Sequence, residues 1–324
     1  MPPGGYPELQ RYFLLTVGVL LAASSWSSGA DLRLGIVGTD TSHAVAFTAL
    51  LNDPAAPDHL EGARIVAAFK GGSPDIPESA NRVDKYAAEL QSKYGVEIVP
   101  DIATLLTKVD AVLLESVDGR PHLALFREIA KGHKPVFIDK PLASTLRDAQ
   151  EIVKVAKEAG VPWFTASTLR FSGGMPALHI AGLNGAFVWA PGPKEEHHEL
   201  DLTWYGIHGV EMLYTILGPG CEKVWRTSTA DQDVITGQWK DGKIGVLRLI
   251  RPYSSYGATV FSPKEVRTTD KDLYTGYRPM VVEMLKFFRT GVSPVPQQET
   301  LEMFEFMDAS QRSLKAGSTP VSIR

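Results

Sequence analysis

The chain has 324 residues, 44% of them hydrophobic, enough for two cores of ordinary domain size, about 100–200 residues each. Its net charge of −4 offers no basic surface of the kind nucleic acid requires, which argues against that class of partner. Cys221, the single cysteine, excludes an intrachain disulfide and a cysteine-built metal cluster.

Residues 1–30 read as a secretory signal. Arg11 precedes the apolar run from Tyr12 to Ala23, and Ser28-Gly29-Ala30 supplies a small-x-small cleavage site. The run is too short for a spanning helix, which needs about 20 apolar residues. The mature protein is therefore expected in the periplasm or outside the cell, with no membrane segment.

From Asp31 onward strands and helices alternate. Leu32 to Val37 is an apolar strand closing on Gly38; Thr41 or Ser42 caps a helix from Ala44 to Leu51. Ala63 to Phe69 is a second strand, ending at Lys70-Gly71-Gly72. In the next helix Val83, Tyr86, Ala87, Leu90 and Tyr94 share one face, and Gly95 stops it. Val96 to Val99, Asp110 to Leu114, Val136 to Ile138 and Val161 to Ala166 are the remaining strands. Helices from His122 to Lys131 and from Ser144 to Glu158 alternate with them. This repetition marks a doubly wound parallel sheet over residues 31–167. Residues 168–324 read as an α+β domain built on a mainly antiparallel, open-faced sheet. There Asp233 to Trp239 and Lys243 to Ile250 flank the turn signal Asp241-Gly242. Helices are expected near His208–Leu217, Met280–Thr290 and Glu299–Lys315.

Chemistry-bearing residues gather at the carboxyl ends of the strands, where open α/β sheets bind ligands. The first turn reads Gly38, Thr39, Asp40, Thr41, Ser42, His43. Of the G-x-G-x-x-G dinucleotide fingerprint only the first glycine is present; Asp40 and His43 occupy the other two. The hydroxyls and the helix start keep this segment a candidate cofactor site. Lys70, where an acidic residue would meet the adenosine ribose, suits a 2′-phosphate and leans the cofactor towards NADP over NAD. His122 follows the fourth strand in Asp118-Gly119-Arg120-Pro121-His122. The fifth strand ends in Asp139-Lys140-Pro141, placing a lysine for proton or oxyanion chemistry at a carbon–oxygen bond. In Trp204-Tyr205-Gly206-Ile207-His208-Gly209-Val210-Glu211, Gly206 and Gly209 let backbone approach something bulky. His208 and Glu211 share a helix face there, as a proton shuttle or as a structural pair. Asp40, His43, His208 and Glu211 could hold a metal only by converging across two domains without an H-E-x-x-H pattern, so none is expected.

These residues together resemble the glucose–fructose oxidoreductase / inositol dehydrogenase / MocA family. Asp139-Lys140-Pro141 matches its Glu-Lys-Pro motif, while Leu169-Arg170-Phe171, Gly206 to Glu211 and the closing Pro320 to Ile323 match later landmarks. The resemblance implies a Rossmann domain followed by an open-faced sheet domain. It implies oxidation or reduction of a sugar or cyclitol with NAD or NADP, in a homo-oligomer. It makes Lys140, able to carry a cis bond to Pro141, and His208 the catalytic pair. Asp139, His122, Arg170, Glu211 and Trp204 become substrate contacts. Trp204 stands where the family commonly has an aspartate, and Tyr205 is the nearby substitute. Two other readings keep the fold: glycoside cleavage assisted by a cofactor or cation, and carbohydrate binding without catalysis.

Overall fold

The computed structural model describes residues 31–269 and 271–323. The expected signal, residues 1–30, lies outside the described residues.

The first half runs β1 (Leu32–Val37), α1 (Ser42–Asn52), β2 (Ala63–Phe69), α2 (Pro77–Ala80), α3 (Val83–Tyr94) and β3 (Glu97–Ile98). It continues with α4 (Ile102–Leu106), β4 (Ala111–Leu114), α5 (His122–Ala130), β5 (Val136–Ile138), α6 (Leu146–Ala159) and β6 (Trp163–Thr165). The strands form one parallel sheet in the order β3-β2-β1-β4-β5-β6, the doubly wound arrangement expected. Helices cover both faces, so β4, β5 and β6 are buried throughout and read as unbroken apolar runs. Phe47 and Leu51 of α1 and Leu90 of α3 pack on one face. Leu105, Phe126, Ile129 and Ile152 pack on the other. Local chemistry sets the helix ends. Thr41, Asp101 and Thr145 cap helix starts through their side chains, and Gly95 and Gly160 end helices in the left-handed region. The short α2 has no counterpart in the sequence reading.

The second half contributes β7 (Gly185–Pro191), α7 (Gly206–Leu217), β8 (Cys221–Ser228), β9 (Gln232–Trp239), β10 (Ile244–Ile250), β11 (Gly257–Phe261) and β12 (Val266–Thr268). It closes with α8 (Arg278–Thr290), α9 (Gln297–Lys315) and β13 (Val321–Ser322). Its sheet has the order β12-β11-β7-β10-β9-β8-β13. β7 and β10 run parallel and the other neighbours antiparallel. The expected hairpin is β9–β10, with Gly237 opposite Gly245. Helix α7 lies directly on this sheet: a Cβ at Gly209 would stand 2.5 Å from Leu247 Cδ1 and 3.2 Å from Ala190 Cβ. The bulk that this glycine admits is the sheet itself. On the opposite face Phe187, Trp189, Trp225 and Val246 are half-buried and Ile244 is exposed.

Helix α8 returns to the first sheet. Its Met280, Met284 and Phe287 join the core of Phe137 and Phe164, with the Phe287 and Phe164 rings 4.9 Å apart. The second half of the chain thus supplies part of the first sheet's cover, fixing the two sheets to each other around the carboxyl ends of β1, β4 and β5.

Candidate active site

Strand order reverses between β1 and β4, so the crevice expected of an open α/β sheet lies past their carboxyl ends. The parallel register aligns Val37 with Leu114 and Leu114 with Ile138. Gly38, Glu115 and Asp139, the residues that follow, therefore stand side by side. Past Asp139 the peptide bond from Lys140 to Pro141 is cis. Asp139 is buried; one carboxylate oxygen accepts from the Lys140 amide at 2.8 Å and the other is 2.6 Å from His43 Nδ1. Burial would push this carboxyl up, but His43 and Lys140 outweigh it and hold it below the usual range.

A cavity of about 220 Å³ opens at this point. Lys140, His43, Thr41 and Ser42 reach it from the first half of the chain, and Trp204, Tyr205 and His208 from the second. Lys140 Nζ lies 5.8 Å from the Tyr205 ring centroid. The His208 and Tyr205 rings are 6.0 Å apart. Burial, then the charges of Lys140 and His43, hold the His208 imidazole well below its ordinary pKa, so it is neutral at pH 7. Its Nδ1 is 2.8 Å from Ser167 Oγ, which also accepts from the Leu169 amide. With its proton on Nδ1, donated to Ser167, the ring keeps Nε2 free to take a proton. Burial raises the Tyr205 phenol, which stays protonated at neutral pH. Tyr253, Tyr256, Tyr274 and Tyr277 complete the wall. Sequence reasoning missed these tyrosines, together with Ser167 and Glu115, because loops and adjacent strands bring them in from distant positions.

Other expected site residues stand behind the cavity wall. Gly38 has φ +99°, and a Cβ there would sit 2.4 Å from the Ser116 amide nitrogen, so β1 can close on this loop only at glycine. Thr39 is buried, its hydroxyl donating to Val83 O at 2.9 Å. Asp40 is buried too. It accepts from Ser79 Oγ at 2.6 Å and the Val117 amide at 3.3 Å, and burial raises its pKa. Lys70 lies on the surface, paired with Asp84 at 2.7 Å. His122 is fully buried, its ring nitrogens facing Ser116 O at 2.9 Å and Leu142 O at 3.2 Å. Burial lowers its pKa, and it clips the loop after β4 to the loop after β5. Arg170 binds Glu211 and, at 2.6 Å, Glu299; this buried triad ties the segment after β6 to α7 and α9. Arg170 and Glu211 do not line the cavity.

Residues 32–167 match the family described as "Oxidoreductase family, NAD-binding Rossmann fold". Residues 32–167 thus carry the Rossmann domain of the glucose–fructose oxidoreductase / inositol dehydrogenase / MocA family. It is 29% identical over 190 residues to the myo-inositol 2-dehydrogenase of Thermotoga maritima, covering 49% of this chain and 56% of that relative. The aligned part thus spans little more than half of the curated relative. Solved structures share the fold across almost the whole chain. A probable dehydrogenase from Thermotoga maritima superposes with a TM-score of 0.74 at 21% identity, covering 90% of this chain and 99% of that one. The myo-inositol dehydrogenase of Lactobacillus casei, solved with NAD(H) and myo-inositol, gives 0.70 at 18% identity, covering 91% and 97%.

A dinucleotide needs free amides at the start of α1 for its diphosphate and an open channel past the ends of β1 and β4. Ser42 offers an amide there and lines the cavity, while the His43 amide is taken by Thr41 Oγ1 at 3.3 Å and the Asp40 carboxylate points into the protein. Across the channel, however, the loops after β1, β2 and β4 are bonded together. Asp40 joins Ser79 to Val117, and Ser73 Oγ donates to Asp118 at 2.6 Å. Ile76 packs on Val117 and Trp204 over the same gap. The 220 Å³ that remains is below the roughly 300–1,000 Å³ of pockets for drug-sized ligands. It suits a single sugar or cyclitol ring.

The Arg170 triad yields a stability prediction. Arg170→Ala leaves Glu211 and Glu299 buried without their counter-charge, and is expected to cost about 3–5 kcal/mol in urea unfolding. A change below about 1 kcal/mol would show that solvent reaches this pair.

Proposed function

We propose that the protein is an NAD(P)-dependent oxidoreductase acting on a hydroxyl or carbonyl of a sugar, sugar derivative or cyclitol. The observation that carries this reading is the meeting of Lys140 and His208, from opposite halves of the chain, on one ring-sized cavity beside a Rossmann domain of this family. The bound dinucleotide would supply the hydride acceptor or donor. The Ser42 amide and the Ser42 hydroxyl at the start of α1 would hold its diphosphate. Lys140 would donate a hydrogen bond to the reacting oxygen, orienting it and stabilising developing negative charge. His208, neutral and backed by Ser167, would accept the hydroxyl proton during oxidation and return it during reduction. Tyr205 and Trp204 would present aromatic faces to the ring, with the Tyr205 hydroxyl a second donor. A preference for NADP would require Lys70 to leave Asp84.

Denaturing the purified protein and assaying the supernatant for NAD or NADP, followed by titration of the stripped protein with each, tests this directly. Micromolar affinity for one of them is expected; none up to about 1 mM, weaker than about −4 kcal/mol, would end the redox reading. Lys140→Ala should then leave cofactor affinity largely intact and lower turnover by about 10²–10⁴-fold.

The bonded loops make a second prediction. Removing the Ser79–Asp40 hydrogen bond with Ser79→Ala weakens the closed arrangement by about 1.5–3 kcal/mol. If the closed form limits entry, dinucleotide affinity should rise by about 10- to 150-fold. Unchanged affinity would mean that these loops do not gate the cofactor.

Export and self-association belong to the same proposal. The basic, apolar and small-residue regions of residues 1–30 support export. The half-exposed Phe187, Trp189 and Trp225 on the open face of the second sheet support a homo-oligomer. Cell fractionation with N-terminal sequencing, and light scattering of the product, should find a chain starting at Asp31 with a mass above one subunit. A cytoplasmic chain retaining Met1, or a monomer, would refute the respective half.

A further inference from the structure

Glu115 is a carboxylate at the crevice that the proposed chemistry leaves unused. It follows β4, is 0% exposed, and neither of its oxygens has a hydrogen-bond partner. Burying an unpaired carboxylate costs several kcal/mol, so most such groups are paired or bind metal. Protonation does not resolve the case: burial and Asp139 push this carboxyl well above its ordinary pKa, yet its O–H would still lack an acceptor. Asp40 is not in this position, being satisfied by Ser79 and Val117.

The orphan points at two further ligand types. One donor atom from each of His43, Glu115 and Asp139 lies within 4.8 Å of the others. The backbone enforces this grouping. Leu114 pairs with Ile138, so Glu115 and Asp139 leave adjacent strands together, and His43 reaches down from the first turn of α1. Bonds of about 2.0–2.2 Å in a tetrahedral site set ligand atoms roughly 3.4 Å apart, so the widest pair would close by up to about 1.4 Å while His43 Nδ1 and Asp139, now 2.6 Å apart, would separate. His43 and Asp139 also line the cavity, so an ion between them would be open to water or a ligand oxygen on that side.

Lys140 and the positive end of α1, worth about half a charge, oppose a cation here, and Glu115 and Asp139, bound as carboxylates, offset them.

We propose that His43, Glu115 and Asp139 form a binding site for one divalent first-row metal ion at the floor of the cavity. One imidazole and two carboxylates match the ligand preferences of Zn²⁺ and Mn²⁺ better than those of an all-oxygen ion such as Mg²⁺. The ion replaces the missing partner of Glu115 and the His43–Asp139 hydrogen bond. Its coordination completed from the cavity side, it stands next to Lys140, where the oxygen of a bound ring would rest.

The test reads metal binding rather than turnover, so it is independent of the cofactor question. The full chain is stripped with a chelator and titrated with Zn²⁺, Mn²⁺ and Mg²⁺ by calorimetry, with metal content measured after dialysis. One Zn²⁺ or Mn²⁺ per chain is expected, with little affinity for Mg²⁺. At about 100-fold above Kd the bound ion should raise Tm by roughly 5 °C. Glu115→Gln should abolish that stoichiometry while leaving the metal-free protein at least as stable, since it replaces the orphan carboxyl with an uncharged group of the same shape. His43→Asn, at a partly exposed position, provides an independent variant and should lose binding likewise. Absence of binding up to about 1 mM metal, or full stoichiometry in both variants, would overturn the site.

Discussion

The level ending of three parallel strands is the constraint on which this protein's chemistry depends. β1, β4 and β5 are buried on both faces, and a one-residue slip would exchange every side chain between the two helical layers. The register is therefore held firmly by hydrophobic packing far from the site. Its consequence is electrostatic. Gly38, Glu115 and Asp139 emerge abreast, and Asp40 follows two residues later, concentrating acidic groups where water has little access. Each must be answered locally. Asp40 is met by Ser79 and the Val117 amide, Asp139 by His43 and the Lys140 amide. Asp118, a few residues on, is met by Ser73, Arg120 and His198; burial opposes its ionisation, but these three hold it well below the usual carboxylate range.

The second half of the chain makes this edge into a cavity. Packing of α7 against Leu247 and Ala190 fixes the height of His208 above the sheet, and Ser167 fixes the imidazole's orientation. The Arg170 triad anchors the segment that carries Ser167 to α7 and α9 together. Helix α8, seated on Phe137 and Phe164, holds Tyr277 at its start beside His43, ring centroids 4.8 Å apart. The residues that face the cavity are thus positioned by buried pairs that never touch it.

This division explains what could be read in the sequence. The strand–helix alternation was plain, because the central strands β4, β5 and β6 are apolar runs and capping side chains such as Thr41 and Asp101 mark helix starts. The β9–β10 hairpin announced itself through Asp241-Gly242. Lys140 stood out because it follows a strand and precedes Pro141, and His208 because it lies at the start of a helix between Gly206 and Gly209. Arg170, Glu211 and His122 matched the same patterns, but spacing cannot tell a side chain facing a cavity from one facing a buried partner. Glu115 was invisible for another reason. It becomes Asp139's neighbour only once β4 is paired to β5, a contact between positions with no local signature. The return of α8 to the first sheet is non-local in the same way.

The substitutions at the glycine-rich turn take on a definite character in this light. A binding loop that had merely lost its glycines would carry side chains without partners. Here the replacements are bonded: Asp40 gains Ser79, which sits in the added turn α2, and His43 gains Asp139. Ser79 in turn accepts from the Ser73 amide, and Ser73 reaches Asp118. A buried network of this kind stabilises only when it is complete, because each missing partner leaves a desolvated polar group. The changes at Asp40 and His43 therefore belong with the segment after β2 as one rebuilt unit. Beside that unit the Glu115 carboxyl has no hydrogen-bond partner among the described residues, which makes it a position where the protein leaves room for something it does not itself supply.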